Sequence, residues 1–279
     1  EIRTMKKITY LNIESGFDIE TTSTFCGDGK FAFMYIWMFG LGKDNPIFYG
    51  RTWEEFAAVC EVLQDKYRLS DDRRLIVYVH NLGFEFQFMK HHFKWLQVFA
   101  LNKGTPVKAL CSYGIEFRCS MKLSGSALAT VAKNLPKGYE CKKLIGDLDY
   151  SLVRHHETQM TEQELGYCEN DIQIILNYIS SQMEIYQNIT KIPLTNTGRV
   201  RDKMRKQFYQ SDKSQNKSSR GKYFRNRAII EDLTLTPDDY RQLKRTFMGG
   251  FTHSNPYYTD VLLENVNSYD LTSSYPSVM

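Results

Sequence analysis

The sequence has 279 residues, the length of one large domain or of one domain with part of a second. Hydrophobic residues make up 42% of it, and its 3 Trp, 18 Tyr and 17 Phe exclude a disordered chain. The net charge of +4 is too small to indicate by itself a nucleic acid or an anionic membrane as the partner. No apolar run approaches the roughly 20 residues that span a bilayer, and Glu1–Lys7 lacks a secretory signal, so we expect a soluble cytoplasmic protein without a membrane partner. The six cysteines contain no CxxC pair and are expected to be reduced thiols.

The first 190 residues alternate between strand-like and helix-like patterns. The aromatic run Phe31–Leu41 predicts a strand beside a shorter one at Phe17–Thr21, and the apolar run Leu75–Val79 is typical of a buried strand. The other predicted elements are a helix from Thr52 to about Tyr67, a hairpin of Pro106–Leu110 with Ile115–Cys119, a helix at Gly125–Leu135 and a helix from Thr161 that ends before Pro193. The first and last of these helices begin with a capping box. This order of elements favours a three-layer α/β domain.

Basic residues are concentrated in the segment Arg199–Arg227. It contains eleven Lys or Arg and two Asp, a local net charge of +9, which leaves −5 for the remainder of the chain. The segment is also rich in Ser, Gln and Asn, so we expect part of it to be a mobile loop. Its charge fits either a solvated linker or an electrostatic contact with nucleic acid.

Four carboxylates stand at the ends or on the faces of predicted elements. Asp18 and Glu20 are two residues apart at the end of a strand, so period-two alternation places them on one face of the sheet. Asp171 follows Tyr167 by four residues on the Thr161 helix, so these two side chains share a helix face. Glu85 comes just after the buried strand. Each feature alone is common in proteins without catalytic function, and it is their order along the chain that indicates a shared site.

The sequences FDIET (17–21) and HNLGFE (80–85) and the pair Tyr167-x-x-x-Asp171 resemble, in this order, the three exonuclease motifs of the DEDDy proofreading domain of family B DNA polymerases. DLTSSYPS, which begins at Asp270, resembles motif A of the polymerase palm, and FMGGF at 247–251 is similar to the link between the two domains. The motifs are most similar to those of protein-primed members from phages and linear plasmids. The resemblance implies an RNase H-like three-layer exonuclease domain with a mixed central sheet at 1–190, a basic connector at 191–245 and the beginning of a palm at 246–279. Because the sequence ends at Met279, we expect no DNA synthesis from this chain alone.

The resemblance also implies two-metal hydrolysis of the 3′-terminal phosphodiester of single-stranded DNA, with two Mg²⁺ or Mn²⁺ ions. Asp18 would bridge the ions, and Glu20 and Asp171 would bind one of them. The expected catalytic and metal-binding residues are Asp18, Glu20, Glu85, Tyr167 (orienting the water), Asp171, either Lys142 or Lys143 at the scissile phosphate, and the motif A ligand Asp270, which would be idle in this chain. The expected contacts with the single-stranded primer end are Thr21, His80, Asn81, Phe84, Ser120 and Met121.

Two positions depart from the family pattern. Glu85 stands where Asp is usual, so a metal-bound water or a shifted backbone must compensate for the extra methylene of its side chain. Phe247 stands where Tyr is usual. The expected partners are single-stranded and primer-template DNA, with a terminal protein for the whole polymerase. Two alternatives stay open, a stand-alone DEDD exonuclease acting on RNA ends and a non-catalytic DNA-binding module that uses Arg199–Arg227 as its electrostatic contact.

Overall fold

The computed structural model describes residues 8–27, 29–144, 152–209, 219–246, 256–258 and 260–267. The chain divides into two compact units, residues 1–207 and residues 208–279. The predicted link at 247–251 and the motif A residue Asp270 lie outside the described residues. None of the described helices is long and apolar enough to cross a membrane.

Eight strands in the described part of the chain form one mixed sheet in the order β4-β3-β2-β5-β8-β7-β6, with β1 paired to the beginning of β5. The strands are β1 (Thr9–Tyr10), β2 (Ser15–Cys26), β3 (Gly29–Leu41), β4 (Phe48–Gly50), β5 (Arg73–Val79), β6 (Trp95–Asn102), β7 (Thr105–Cys111) and β8 (Ile115–Cys119). The helices of the first unit are α1 (Trp53–Tyr67), α2 (Leu82–Met89), α3 (Ser120–Ser124), α4 (Leu128–Lys133), α5 (Glu162–Tyr186) and α6 (Asn196–Tyr209, whose last two residues fall in the second unit). In the second unit, the basic segment continues into α7 (Ser219–Asp232), which is followed by α8 (Pro237–Thr246).

The central strand β5 shows why the sheet is covered on both faces. Leu75, Val77 and Val79 pack with residues of α1 and α2 on one face. Ile76 and Tyr78 pack with residues of α3, α4 and α5 on the other. A strand buried on both faces needs a continuous apolar sequence, which is what residues 75–79 provide. The predicted three-layer α/β fold with a mixed central sheet is confirmed.

Both predicted capping boxes are present. Thr52 and Glu55 exchange the two capping hydrogen bonds at the start of α1, and Thr161 and Glu164 do so at the start of α5. The hairpin of β7 and β8 is also confirmed, with antiparallel pairs such as Ala109 with Phe117.

The helix predicted at Gly125–Leu135 was wrong in its first turn. Gly125 has φ of 73° and ends α3 as a left-handed cap, so the following helix, α4, begins only at Leu128. A glycine in the left-handed region stops a helix instead of beginning one. The apolar pattern on both sides of Gly125 therefore belongs to two short helices.

An ionic network joins β5 to β8 within the sheet. Glu116 on β8 is fully buried and accepts hydrogen bonds from Arg74 Nη1 at 2.8 Å and from Arg118 Nε at 2.8 Å. Tyr10 donates its hydroxyl to the same carboxylate at 3.3 Å. The network fixes the register of the two strands whose ends carry His80 and Ser120.

Candidate active site

Three of the predicted site residues lie where the parallel pairing of β2, β5 and β8 ends. β2 pairs with β5 up to Phe17 opposite Val79, and β5 pairs with β8 up to Val79 opposite Cys119. The next residues along each strand, Asp18, His80 and Ser120, therefore lie side by side at one edge of the sheet. The carboxyl ends of parallel strands are the usual place for a ligand crevice in open α/β sheets.

Phe17 and Ile19 alternate with Asp18 and Glu20 along β2 and are buried on the face that packs against α1 and α2. Asp18 and Glu20 therefore face the other way, towards α5. A register shift of β2 against β3 occurs directly after Glu20, so the period-two alternation holds over these two positions. One carboxylate oxygen each of Asp18, Glu20 and Asp171 lie within 4.8 Å of one another. This is the only such group of potential metal ligands in the described part of the chain.

The three carboxylates suit Mg²⁺ or Mn²⁺, which prefer carboxylate oxygens, better than softer metals that select thiolates or imidazoles. Burial raises the pKa of Asp18 well above its ordinary value, and the charges of Glu85, Glu20 and Asp171 raise it further. Burial and the charge of Asp171 likewise raise the pKa of Glu20 to about 7, against the opposing charges of Lys143 and Arg154. Buried carboxylates that repel one another in this way are the environment that a divalent cation stabilises.

Lys143 is the lysine that reaches the cluster. Its Nζ donates to both carboxylate oxygens of Asp171 and, at 3.1 Å, to the hydroxyl of Tyr167, and it lies 4.3 Å from the centre of the Tyr167 ring. Burial raises the pKa of Asp171, and the hydrogen bond and charge of Lys143 oppose that shift. Lys142 is exposed.

Asn170 holds the lysine-bearing segment in place. Its side chain accepts a hydrogen bond from the backbone N–H of Leu144 at 3.1 Å and donates to Cys141 Sγ at 3.3 Å. Asn170 precedes Asp171 on α5, so the helix residue next to this candidate metal ligand also positions the segment that carries Lys143.

Glu85 lies near the cluster but outside the group of three. It is on α2 and only 4% exposed, and its Oε2 makes no hydrogen bond to any described residue. Burial raises its pKa to about 8, and the charge of Glu20 adds to the shift. This position fits a carboxylate that binds a metal ion through a bridging water. That Glu85 binds metal stays a prediction.

Two of the predicted DNA contacts, His80 and Ser120, are joined to each other. His80 Nδ1 lies 3.1 Å from Ser120 Oγ, and that hydroxyl donates to the carbonyl of Val79 at 3.3 Å. Burial lowers the pKa of His80 to about 4, and the charge of Lys143 contributes, so the imidazole is neutral at physiological pH.

The other four predicted contacts lie on or beside α2, β2 and α3. Asn81 begins α2 in the left-handed region with φ of 73°, and its side chain makes no capping hydrogen bond. Phe84 is 43% exposed, and its ring centroid lies 5.1 Å from that of Phe88. Thr21 is half-buried on β2, and Met121 lines a cavity beside α3.

Two arginines that the sequence analysis missed tie the start of α5 to the sheet. Arg154 is 4% exposed, donates to Glu164 at 2.6 Å, and its backbone N–H donates to Thr22 Oγ1 on β2. Arg51 donates to the carbonyls of Tyr35, Thr158 and His155 at 2.6 to 2.9 Å. Both arginines hold the loop before α5, the helix that carries Tyr167 and Asp171. For Arg154, the only signal in the sequence was its position ten residues before the capping residue Glu164.

The fold and the carboxylate cluster define a mixed α/β domain with a candidate metal centre at the carboxyl edge of its sheet. Residues 119–279 match the family "DNA polymerase type B, organellar and viral", and the chain belongs to this family.

Among curated proteins, the DNA polymerases of Bacillus phage Nf and Bacillus phage B103 are each 26% identical over 288 residues. These alignments cover 94% of the chain, which spans 43% of the length of each relative. Among solved structures, Phi29 DNA polymerase in complex with primer-template DNA and incoming nucleotides has a TM-score of 0.55 at 17% identity, covering 89% of this chain and 41% of that one. An orthorhombic crystal form of the same enzyme gives 0.56 at 18% identity, covering 88% and 41%. The structural likeness establishes the fold.

Proposed function

We propose that this chain is the 3′ to 5′ exonuclease region of a protein-primed family B DNA polymerase, and that it hydrolyses the 3′-terminal phosphodiester of single-stranded DNA. The observation that carries the proposal is the meeting of Asp18, Glu20 and Asp171 within 4.8 Å, with Lys143 and Tyr167 on the same side of α5. The family supports DNA as the polymer, since the relatives are DNA polymerases and a structural neighbour was solved with primer-template DNA.

We assign each residue the role that its position supports. Two divalent cations bound at the carboxylates would lower the pKa of the attacking water and stabilise the leaving oxygen. Asp18, whose pKa burial and the charges of Glu85, Glu20 and Asp171 together raise well above its ordinary value, is the candidate bridging ligand, with Glu20 and Asp171 beside it. Tyr167 holds the attacking water through its hydroxyl. Lys143 places a positive charge where the scissile phosphate would lie, next to Asp171.

The surrounding residues hold the strand. Phe84 offers an exposed ring for stacking on a base, an interaction that tolerates any sequence. Neutral His80 and the amide of Asn81 offer hydrogen bonds without adding charge to the cluster. Such a site favours a strand end whose bases are unpaired. A terminal protein as partner of the whole polymerase stays a prediction.

The test is Mn²⁺-dependent digestion of a 5′-labelled oligonucleotide by the wild type and by the double variant Asp18→Ala with Glu20→Ala. We expect a ladder of products shortened from the 3′ end, and we expect the double change to abolish it. Glu61→Ala with Asp65→Ala is the matched control, because it removes two exposed carboxylates from α1, on the other face of the sheet. Undiminished cleavage by the site variant would refute the assignment.

Two further outcomes separate the alternatives. Strong preference for RNA over DNA of the same sequence would favour a DEDD exonuclease acting on RNA ends. DNA binding without any cleavage stimulated by Mn²⁺ or Mg²⁺ would favour a non-catalytic binding module, and its affinity would fall steeply with salt concentration.

A further inference from the structure

Two cavities lie beyond the predicted DNA contacts, and they share one wall residue, Ser126. The first, about 670 Å³, is lined among others by Met121 and Lys122 of α3 and by Asn196 at the start of α6. The second, about 270 Å³, lies between α4, α5 and the start of α6. Met121, one of the predicted DNA contacts, therefore lines a cavity that adjoins the second one at Ser126.

The second cavity has a positive side chain and no negative one. Arg199 lines it, together with Ser124, Ser126, Thr130, Asn134 and Gln182, and none of its described lining residues is acidic. The Arg199 guanidinium makes one hydrogen bond, from Nη2 to Asn196 at 2.8 Å, and no ion pair with any described carboxylate. A guanidinium has five N–H groups, so most of its donors are available to a ligand.

Tyr178 provides independent evidence for a missing acceptor. It lines the same cavity and is 9% exposed, and its hydroxyl makes no hydrogen bond to any described residue. Burial raises its pKa to about 12, although the charge of Arg199 opposes the shift, so the hydroxyl keeps its proton and can donate. A buried donor without a partner is rare in native proteins and calls for an acceptor.

The position of Tyr178 relates the cavity to the carboxylate cluster. Tyr178 follows Asp171 by seven residues on α5, two helical turns, so both lie on the same side of the helix about 10 Å apart. At a rise of about 3.4 Å per stacked nucleotide, this distance corresponds to about three nucleotides.

We propose that the cavity around Arg199 and Tyr178 binds a phosphate group, and that this phosphate belongs to the single strand whose 3′ end lies at Asp18 and Asp171, about three nucleotides from that end. The inference rests on the proposed function for the placement of the 3′ end. Arg199 supplies charge-assisted hydrogen bonds, Tyr178 supplies a neutral donor, and the hydroxyls of Ser126 and Thr130 complete the lining. Sequence is not read there, because a phosphate carries no base information.

The test measures the affinity of the chain for unlabelled dT2 and dT10 as competitors of fluorescent dT10, in EDTA so that no cleavage occurs. Arg199→Met keeps the aliphatic stem and removes the charge. We expect it to weaken dT10 binding on the order of ten-fold, to change dT2 binding little, and to lower the slope of log affinity against log salt by about 0.7. Arg201→Met is the matched control, since Arg201 is on the same helix, is exposed and does not line the cavity.

Tyr178→Phe keeps the test independent of folding. Removing an unpartnered buried hydroxyl leaves the thermal unfolding temperature unchanged or raises it, so a weaker dT10 affinity in this variant reports the lost hydrogen bond. Unchanged dT10 affinity in both Arg199→Met and Tyr178→Phe overturns the inference. Competition by inorganic phosphate that depends on Arg199, with equal losses for dT2 and dT10, also overturns it in favour of a free-phosphate pocket. If the wild type fails to cleave DNA, the proposed function fails, and the length dependence of binding still tests the cavity.

Discussion

Gly40 on β3 couples the packing of the sheet to the geometry of the carboxylate cluster. A Cβ at this position would lie 2.7 Å from Leu176 Cδ1 and 2.8 Å from Ile172 Cγ2, both fully buried on α5. Carbon atoms in contact need about 3.5–4.0 Å, so Gly40→Ala requires a displacement of about 1 Å. Leu176 can rotate the end of its side chain, but the β-branched Ile172 has one strongly preferred rotamer in a helix. We therefore expect α5 itself to move.

The displacement has two measurable consequences. Overpacking of this kind costs about 1–3 kcal/mol of unfolding free energy, which corresponds to a thermal midpoint lower by roughly 2–12 °C for a chain of this size. Asp171 precedes Ile172 and moves with it, and a misplacement of about 1 Å lowers a catalytic rate by on the order of 100-fold. Exonuclease rates on 5′-labelled single-stranded DNA, measured at a temperature where the variant is fully folded, separate the second effect from the first.

Gly166→Ala on α5 is the control, because a Cβ there meets nothing within 4 Å and alanine favours a helix by about 1 kcal/mol over glycine. We expect this variant to be as stable as the wild type or more stable, with cleavage retained. If Gly40→Ala kept both its unfolding midpoint and its cleavage rate, α5 would not be held against β3 as described, and the reasoning would be refuted.

Three further predictions concern single side chains. Lys143→Met should lower the cleavage rate by about 10²–10³ and Lys142→Met should not, and equal losses in the two would contradict the choice between the lysines. Phe84→Ala should weaken binding of single-stranded DNA by about 1–3 kcal/mol in a fluorescence titration, whereas unchanged affinity would exclude stacking there. Glu116→Gln leaves two buried guanidinium groups without their carboxylate, so urea unfolding should show a loss of about 3–5 kcal/mol, and a loss below about 1 kcal/mol would contradict the network. Burial alone would raise the pKa of Glu116, but Arg118 and Arg74 hold it below its ordinary value. The contribution of Glu116 to the free energy of unfolding is therefore full above the unfolded pKa of about 4.3, and it is lost as the pH falls through the lower folded pKa. Below about pH 4.3 the wild type should therefore lose stability more steeply than Glu116→Gln.

Local signals in the sequence predicted much of the fold. The capping residues Thr52 and Thr161 fix where α1 and α5 begin, because the orphan N–H groups of a helix start need nearby acceptors. The continuous apolar run of β5 predicts burial on both faces. Gly125 shows the limit of such signals. Glycine is tolerated inside a helix and favoured as a left-handed cap, and only the packing of α3 and α4 decides between these two positions.

Spacing alone predicted only the carboxylates of the candidate site and Tyr167, and the other site residues came from the family resemblance. Asp18 and Glu20 share a face by strand periodicity, but nothing local distinguishes Lys142 from Lys143, whose role depends on Asp171, 28 residues away in the chain. The structural role of Arg154 could not be predicted either. Its partner Glu164 already has a local role as a capping residue, so the sequence gives no sign of a second contact. The cavity around Arg199 and Tyr178 joins residues of different helices, and no spacing in the sequence encodes that meeting.

If Asp18, Glu20 and Asp171 form a two-metal centre, the number of ions bound per chain will show it. Mn²⁺ titration followed by electron paramagnetic resonance measures the free ion, and hence the number bound per chain. We expect two ions for the wild type in the presence of single-stranded DNA, and loss of both when Asp18, the proposed bridging ligand, is changed to Asn. Two ions bound equally by the wild type and by Asp18→Asn would contradict it, as would a wild type that binds none.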